Sequence, residues 1–224
     1  MPLQTIEIET APNPTACIVI LHGLGADGND FVPICDELDL EAVGPVRFVL
    51  PHGPVRPVTI NAGMKMRAWY DIYQGAGTDR REDEAGLRAS QAEIEALLTR
   101  EAARGIPAAR TVLMGFSQGC AMTLMTGLRH TDKLAGLVAL SGYLPLADMV
   151  AAESSPANRT TPIFMAHGTA DHVVPHDRGV ASRNALAVLG YDIEWHDYPM
   201  AHSVHPREIV DLNRWLLKVL APAG

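Results

Sequence analysis

The sequence predicts an α/β fold: a mostly parallel central sheet with helices on both faces and no separate cap domain. Three observations carry this. Short β-branched, apolar runs alternate with longer amphipathic runs along the whole chain. Most of the short runs are continuously apolar, as in strands covered on both faces. The 224 residues are 47% hydrophobic and 20% charged, a soluble globular balance. A chain of this length is expected to form a single domain over residues 1–224.

Residues 3–9 (LQTIEIE) alternate like an edge strand, whereas 16–21 (ACIVIL) and 46–50 (VRFVL) read as buried strands. The segments 110–115 (RTVLMG), 134–140 (LAGLVAL) and 162–166 (PIFMA) repeat that pattern. Segment 191–198 is more polar and is expected near an edge. Between the strands lie helix candidates. Residues 82–104 are rich in Ala, Leu, Glu and Arg and stop at Gly105. Residues 118–129 follow a strand directly, and 177–189 stop at Gly190. The last helix starts near Pro206, a residue suited to a first turn. In it Leu212, Trp215, Leu216 and Val219 recur at helical spacing and form one apolar stripe. Two loops, 51–67 and 142–161, are long. The second is the only room for a cap, so an open site is expected.

Composition narrows the partners. The formal net charge is −8, which argues against nucleic acid. Cys17, Cys35 and Cys120 form no C-x-x-C pair and are odd in number, as expected for reduced thiols of an intracellular protein. The N-terminus lacks a basic segment followed by an apolar one, so no signal peptide is expected. No run approaches the ~18 apolar residues of a membrane helix. No lipidation motif is visible, and a cytoplasmic protein is expected, as monomer or homodimer.

The sharpest chemical signal is Gly115-Phe116-Ser117-Gln118-Gly119, set between a strand and a helix. That is the context of a G-x-S-x-G elbow, in which a tight turn presents the serine hydroxyl at the carboxyl end of the sheet. Two glycines let strand and helix pass closely beneath it. The plain alternative is a glycine-bounded turn. A serine hydroxyl is a weak nucleophile and needs a base. In folds built on this elbow the chain order is serine, acid, histidine. Asp171 follows strand 162–166 and His202 follows strand 191–198, so both reach the rim that carries Ser117. His205 is the rival base, and Asp177 and Asp197 are the rival acids. Asp177 begins a helix, Asp197 lies within a strand, and His205 abuts Pro206. His22 and His167, beside glycines at strand ends, are expected to shape turns, while His130 and His196 read as surface or structural.

A developing oxyanion needs N–H donors. One is expected from Gln118, the residue after the serine. The other is expected from the glycine-rich segment 22–28, with Leu24 best placed. That segment lacks the G-K-[ST] ending of a phosphate loop.

His22-Gly23-Leu24-Gly25, Arg67-Ala68-Trp69-Tyr70-Asp71, the Ser117 elbow, Gly168-Thr169-Ala170-Asp171-His172-Val173-Val174-Pro175 and His202-Ser203-Val204 together resemble the carboxylesterase, acyl-protein thioesterase and lysophospholipase branch of the α/β-hydrolases. The motifs span residues 22–204. The resemblance implies a Ser117–Asp171–His202 triad and an oxyanion hole formed by the Leu24 and Gln118 N–H groups. It implies no cofactor. Two departures stand out: Cys120 and Ala201 occupy positions where the family commonly has glycine. Both are small, so shifted packing is expected rather than lost chemistry.

The expected activity is therefore hydrolysis of short- to medium-chain acyl esters, with thioesters or lysophospholipids as further candidates. The expected substrate is a small or lipid-like acyl ester or an acylated protein. Met64, Met66, Trp69, Leu144, Val173 and Val174 are the candidate acyl-groove lining. For Met64, Met66, Trp69 and Tyr73 ordinary core packing is the competing expectation. The pairs His172/His176 and His202/His205 lack the H-E-x-x-H pattern, and no metal is expected. Two other readings stand beside this one: a binding protein that keeps the fold without catalysis, and a lactone or dienelactone hydrolase.

Overall fold

The computed structural model describes residues 2–73 and 82–221. In chain order the strands are β1 (Thr5–Glu9), β2 (Ala16–Leu21), β3 (Val46–Pro51), β4 (Val55–Val58), β5 (Met64–Arg67), β6 (Thr111–Phe116), β7 (Gly136–Leu140), β8 (Ile163–Gly168) and β9 (Ile193–Tyr198). The α-helices are α1 (Val32–Glu37), α2 (Glu84–Ala103), α3 (Gln118–Gly127), α4 (Ala147–Glu153), α5 (His176–Val188) and α6 (Pro206–Val219). Seven strands form one sheet in the order β1-β3-β2-β6-β7-β8-β9. Only β1 runs antiparallel, paired with β3, and every other neighbour is parallel.

The continuous apolar runs follow from burial on two faces. Cys17, Val19 and Leu21 of β2 join one core with Leu87 and Ile94 of α2, Leu124 of α3 and Leu186 of α5. Ala16, Ile18 and Ile20 of the same strand join the opposite core with Ile34 of α1 and Leu212, Trp215 and Leu216 of α6. One strand thus feeds two apolar layers, and a polar residue on either face would be buried. The outer strands differ. β1 carries Glu7 and Glu9, whose carboxylates meet Arg100, Arg104 and Arg47. β9 exposes Glu194 and Asp197.

Two expectations are corrected. Segment 51–67 contains the antiparallel β4–β5 hairpin, with Val55 opposite Arg67 and Val58 opposite Met64. Segment 142–161 contains α4 and a short 3-10 turn at Pro156–Asn158. Helix α1, in 32–37, also has no counterpart among the expected elements. No helix among the described residues is long and apolar enough to cross a membrane.

Chain order places the site. β2 leads to β3 on one side, and the chain then crosses to β6 on the other side of β2. Open parallel sheets present a crevice at such a reversal, beyond the carboxyl ends of the strands. The segments after β2, β6, β8 and β9 all emerge at that rim.

Helix α6 carries a buried acid near this rim. Glu208 accepts the His205 N–H at 3.1 Å and is fully buried. Burial pushes its carboxyl up to about 7. In the unfolded chain the same group ionises near the ordinary carboxylate value. Between these values the unfolded chain gives up its proton first, so stability falls as pH rises through that window. Glu208→Gln keeps an acceptor for the His205 N–H and removes the charge. It is expected to raise Tm by roughly 3–6 °C at pH 8. The gain should vanish near pH 4, a pattern that thermal melts at the two pH values will read directly.

Candidate active site

Ser117 links β6 to α3 with φ 56° and ψ −115°, a left-handed backbone that side chains rarely adopt. The turn is held from both sides. A Cβ at Gly115 would lie 2.1 Å from the Gly119 carbonyl oxygen, and one at Gly119 would lie 1.9 Å from the Leu21 oxygen. Neither position admits a side chain, so β6, α3 and β2 cross in contact beneath the serine. Cys120 is fully buried, and burial pushes its thiol up. Room for it comes from Gly142, where a Cβ would meet the Cys120 Cβ at 2.4 Å. The first departure from the family pattern is thus absorbed by packing. The second, Ala201, is exposed and asks for no adjustment.

Three side chains from three strand ends form one hydrogen-bonded line. The Ser117 hydroxyl donates to His202 Nε2 at 2.9 Å, and His202 Nδ1–H donates to Asp171 Oδ2 at 2.7 Å. The Asp171 side chain is 0% exposed and that of His202 is 17% exposed. The other carboxylate oxygen, Oδ1, accepts the N–H groups of Val173 at 2.8 Å and Val174 at 2.9 Å. The acid is therefore oriented by backbone, and its free oxygen faces the histidine. The Phe116 ring lies 4.7 Å from the His202 ring, centre to centre.

Several of the other histidines hold loops or a helix end. Gly53 N–H donates to His22 Nε2 at 2.8 Å, so His22 Nδ1–H donates to the Gly23 carbonyl at 2.7 Å. Burial lowers its affinity for a second proton. His167 Nε2–H donates to the Val174 carbonyl at 2.9 Å, and burial likewise keeps this ring neutral. His205 caps α6 by accepting the Arg207 N–H. Asp197 pairs with His176 at 2.6 Å, and Asp177 lies in the first turn of α5. Neither rival acid joins the Ser117 line. His130 is buried against Glu95, while His196 is half-buried beside Glu194. Among the described residues no group of three or more His, Cys, Asp or Glu is placed to hold a metal ion.

Leu24 lies across from the elbow. Among the described residues its N–H bonds no protein acceptor. Gln118 is the first residue of α3, where a helix N–H lacks an intrahelical partner. The Gln118 side chain is fixed: it accepts the Trp69 N–H at 3.0 Å and donates to the Tyr70 carbonyl at 3.0 Å.

Two cavities flank Ser117. The first, about 460 Å³, is walled by Phe31, Ile34, Phe116, Val204 and His202. The second, about 290 Å³, is walled by Ile60, Ile72, Gln118, Tyr70, Tyr143 and Arg178. Both share Leu24, Ser117 and Val173. Four expected lining residues stand outside both cavities. Trp69 is 0% exposed, and its indole N–H donates to the His22 carbonyl at 2.8 Å, so it packs the core behind the site. Leu144 is buried, with its N–H given to the Ser182 hydroxyl. Met64 is 64% exposed on the β4–β5 hairpin, facing solvent. The Met66 sulfur lies 3.7 Å from the Asn61 amide. Val173 lines both cavities and Val174 lines the second. Ile60, Tyr70, Ile72, Tyr143 and Arg178, which do line the second cavity, come from a 3-10 turn, two loop segments and helix α5 and give no shared signal in the sequence.

Residues 4–220 match the profile of the Phospholipase/Carboxylesterase family. An acyl-protein thioesterase 1 of Gibberella zeae is 41% identical over 222 residues, covering 95% of this chain and 94% of that protein. The Yarrowia lipolytica protein of the same name is 37% identical over 219 residues, covering 96% of each chain. The crystal structure of Zea mays acyl-protein thioesterase 2 superposes with a TM-score of 0.85 at 29% identity, covering 97% of this chain and 99% of that one. Profile, relatives and sheet order agree, and the chain belongs to the phospholipase/carboxylesterase family of α/β-hydrolases, as a carboxylic ester hydrolase.

Proposed function

We propose that the protein is a serine carboxylesterase acting on short- to medium-chain acyl esters and thioesters through an acyl-enzyme. The observation that carries this reading is the hydrogen-bonded line from Ser117 through His202 to Asp171. In the first half-reaction the Ser117 oxygen bonds to the acyl carbon while its proton passes to His202 Nε2. The carbonyl electrons move onto oxygen, where the Leu24 and Gln118 N–H groups receive them. The C–O or C–S bond then breaks, and His202 gives its proton to the departing alcohol or thiol. Water repeats the sequence: its oxygen bonds to the acyl carbon, His202 takes the proton, and Ser117 leaves protonated. Asp171 holds the His202 tautomer and stabilises the imidazolium.

The two cavities support a division of labour. A leaving group must lie within reach of His202, which walls the larger cavity. The acyl chain then enters the smaller cavity, which includes Gln118. The thioesterase names of the relatives support acylated proteins as substrates, with the protein chain outside the larger cavity.

The test is a series of esters and thioesters from two to sixteen acyl carbons. Each buried methylene contributes at most about 0.8 kcal/mol. The acyl cavity is small, so kcat/KM is expected to rise over the first several carbons and then flatten or fall. Trp69→Ala is expected to lower every chain length alike, because Trp69 lies behind the site. A steady climb into long emulsified triglycerides, without turnover of short soluble esters, overturns this reading.

A further inference from the structure

Most of the smaller cavity's polar groups are already engaged. Asp71 accepts from the Thr59 N–H at 2.7 Å, the Thr59 hydroxyl at 2.6 Å and the Ile72 N–H at 2.8 Å. Asp83 accepts the Asp71 and Gly86 N–H groups at 2.8 and 3.0 Å. Glu82 accepts the Leu146 N–H at 2.9 Å, and burial raises its carboxyl above the usual range. Arg178 is different. Its guanidinium carbon lies 3.3 Å from the centre of the Tyr143 ring. Among the described residues it has no carboxylate within 4.0 Å. Contact with an aromatic ring uses the face of a guanidinium; one N–H reaches the Tyr143 hydroxyl and the Glu82 carboxylate lies within electrostatic reach, while the remaining in-plane N–H donors stay available. Beneath it the Tyr143 and Tyr70 hydroxyls lie 2.8 Å apart. One proton links the pair, so a second hydroxyl proton is left to donate.

A cavity walled by an arginine fork and a spare hydroxyl proton is costly to fill with hydrocarbon alone, since each donor left unpaired loses its hydration. An acceptor at the far end of the acyl chain satisfies both. Resting on the acyl-side assignment above, we infer that Arg178, with the Tyr70–Tyr143 pair, selects acyl groups that end in a carboxylate, as in monoesters and monothioesters of short dicarboxylic acids. The fork geometry of arginine matches a carboxylate with two parallel bonds. The reaction is unchanged: ester or thioester plus water gives the dicarboxylic acid and the alcohol or thiol.

The experiment compares kcat/KM for monoesters of succinate, glutarate and adipate with the butyrate, pentanoate and hexanoate esters of the same alcohol. In the wild type at least one dicarboxylate is expected to be favoured over its alkyl counterpart by about tenfold or more, the scale of one hydrogen bond to a charged group. In Arg178→Met the ratio at that length is expected to fall to one or below. Arg178→Lys, which keeps the charge and loses the fork, should fall between them. If Arg178→Met does not fold, salt serves instead, because screening weakens a charged contact and should erode the wild-type ratio. Alkyl esters preferred at every length, a ratio that survives Arg178→Met, or a ratio indifferent to salt overturns the inference. Fluorophosphonate labelling is scored alongside. A chain that resists labelling defeats the serine esterase reading itself, whereas a labelled enzyme that prefers alkyl chains defeats only the role of Arg178.

Discussion

Ser117→Ala is expected to fold like the parent chain and to lose about 10³-fold or more in kcat. Folding survives because alanine meets the same backbone demand as serine at φ 56°. The steric lock of the turn lies in Gly115 and Gly119, which the substitution leaves alone. The rate falls because, among the described residues, no other hydroxyl is hydrogen-bonded to His202. Some turnover over water should persist, since the Leu24 and Gln118 N–H groups proposed to receive the carbonyl oxygen are retained. Thermal melts, ester turnover and intact mass after fluorophosphonate treatment read the three parts separately. The parent chain should gain one adduct and the variant none. An alanine variant within tenfold of the parent rate refutes the nucleophile.

Asp171→Asn and His202→Ala are expected to be comparably damaging, and Asp171→Asn for a reason specific to this loop. The Val173 and Val174 N–H groups both point at Oδ1 and will hold the amide oxygen there. The amide NH₂ must then face His202 Nδ1, which has to accept instead of donate. The ring proton moves to Nε2, and the imidazole can no longer take the Ser117 proton. A wrong tautomer of this kind costs on the order of 10⁴ in kcat. The two rivals serve as controls. His205→Ala removes a cap and a ring stacked on Tyr198, so it should cost about 1 kcal/mol of stability with little change in rate. Asp197→Asn loosens a half-exposed pair with His176 and should be milder still. Equal damage from His205→Ala and His202→Ala would reassign the base.

How much of this was legible in the sequence depends on how many contacts fix each element. The buried strands announced themselves, because β2, β3, β6, β7 and β8 lie between two apolar layers and are apolar at most positions. The meeting of Ser117, Asp171 and His202 was legible for a related reason. In a parallel sheet every strand delivers its following loop to the same rim, so chain order alone brings the three together. The β4–β5 hairpin was hidden because Pro57 interrupts it and its residues face solvent as often as protein. Helices α1 and α4 are six and seven residues long, too short for a period to stand out. The lining of the proposed acyl cavity differs from expectation for another cause. Trp69 and Leu144 are apolar and near the rim in sequence, but the chain folds them inward. Tyr143, the neighbour of Leu144, faces the cavity instead. Which of two adjacent side chains turns toward a cleft is set by long-range packing, and no local pattern records it.

The polar outer strand β9 bears on how the molecule behaves in concentrated solution. An open sheet offers a row of unpaired backbone groups at its rim, onto which a second copy can add a strand. Here the rim carries Glu194 and Asp197, with side chains 45% and 46% exposed. A copy adding itself antiparallel would bring these carboxylates toward their own images, on a molecule whose net charge is already −8. Like charges set opposite one another weaken strand pairing. Growth of fibrils or amorphous aggregates through this edge is therefore opposed near neutral pH, and the opposition fades as acid neutralises the carboxylates.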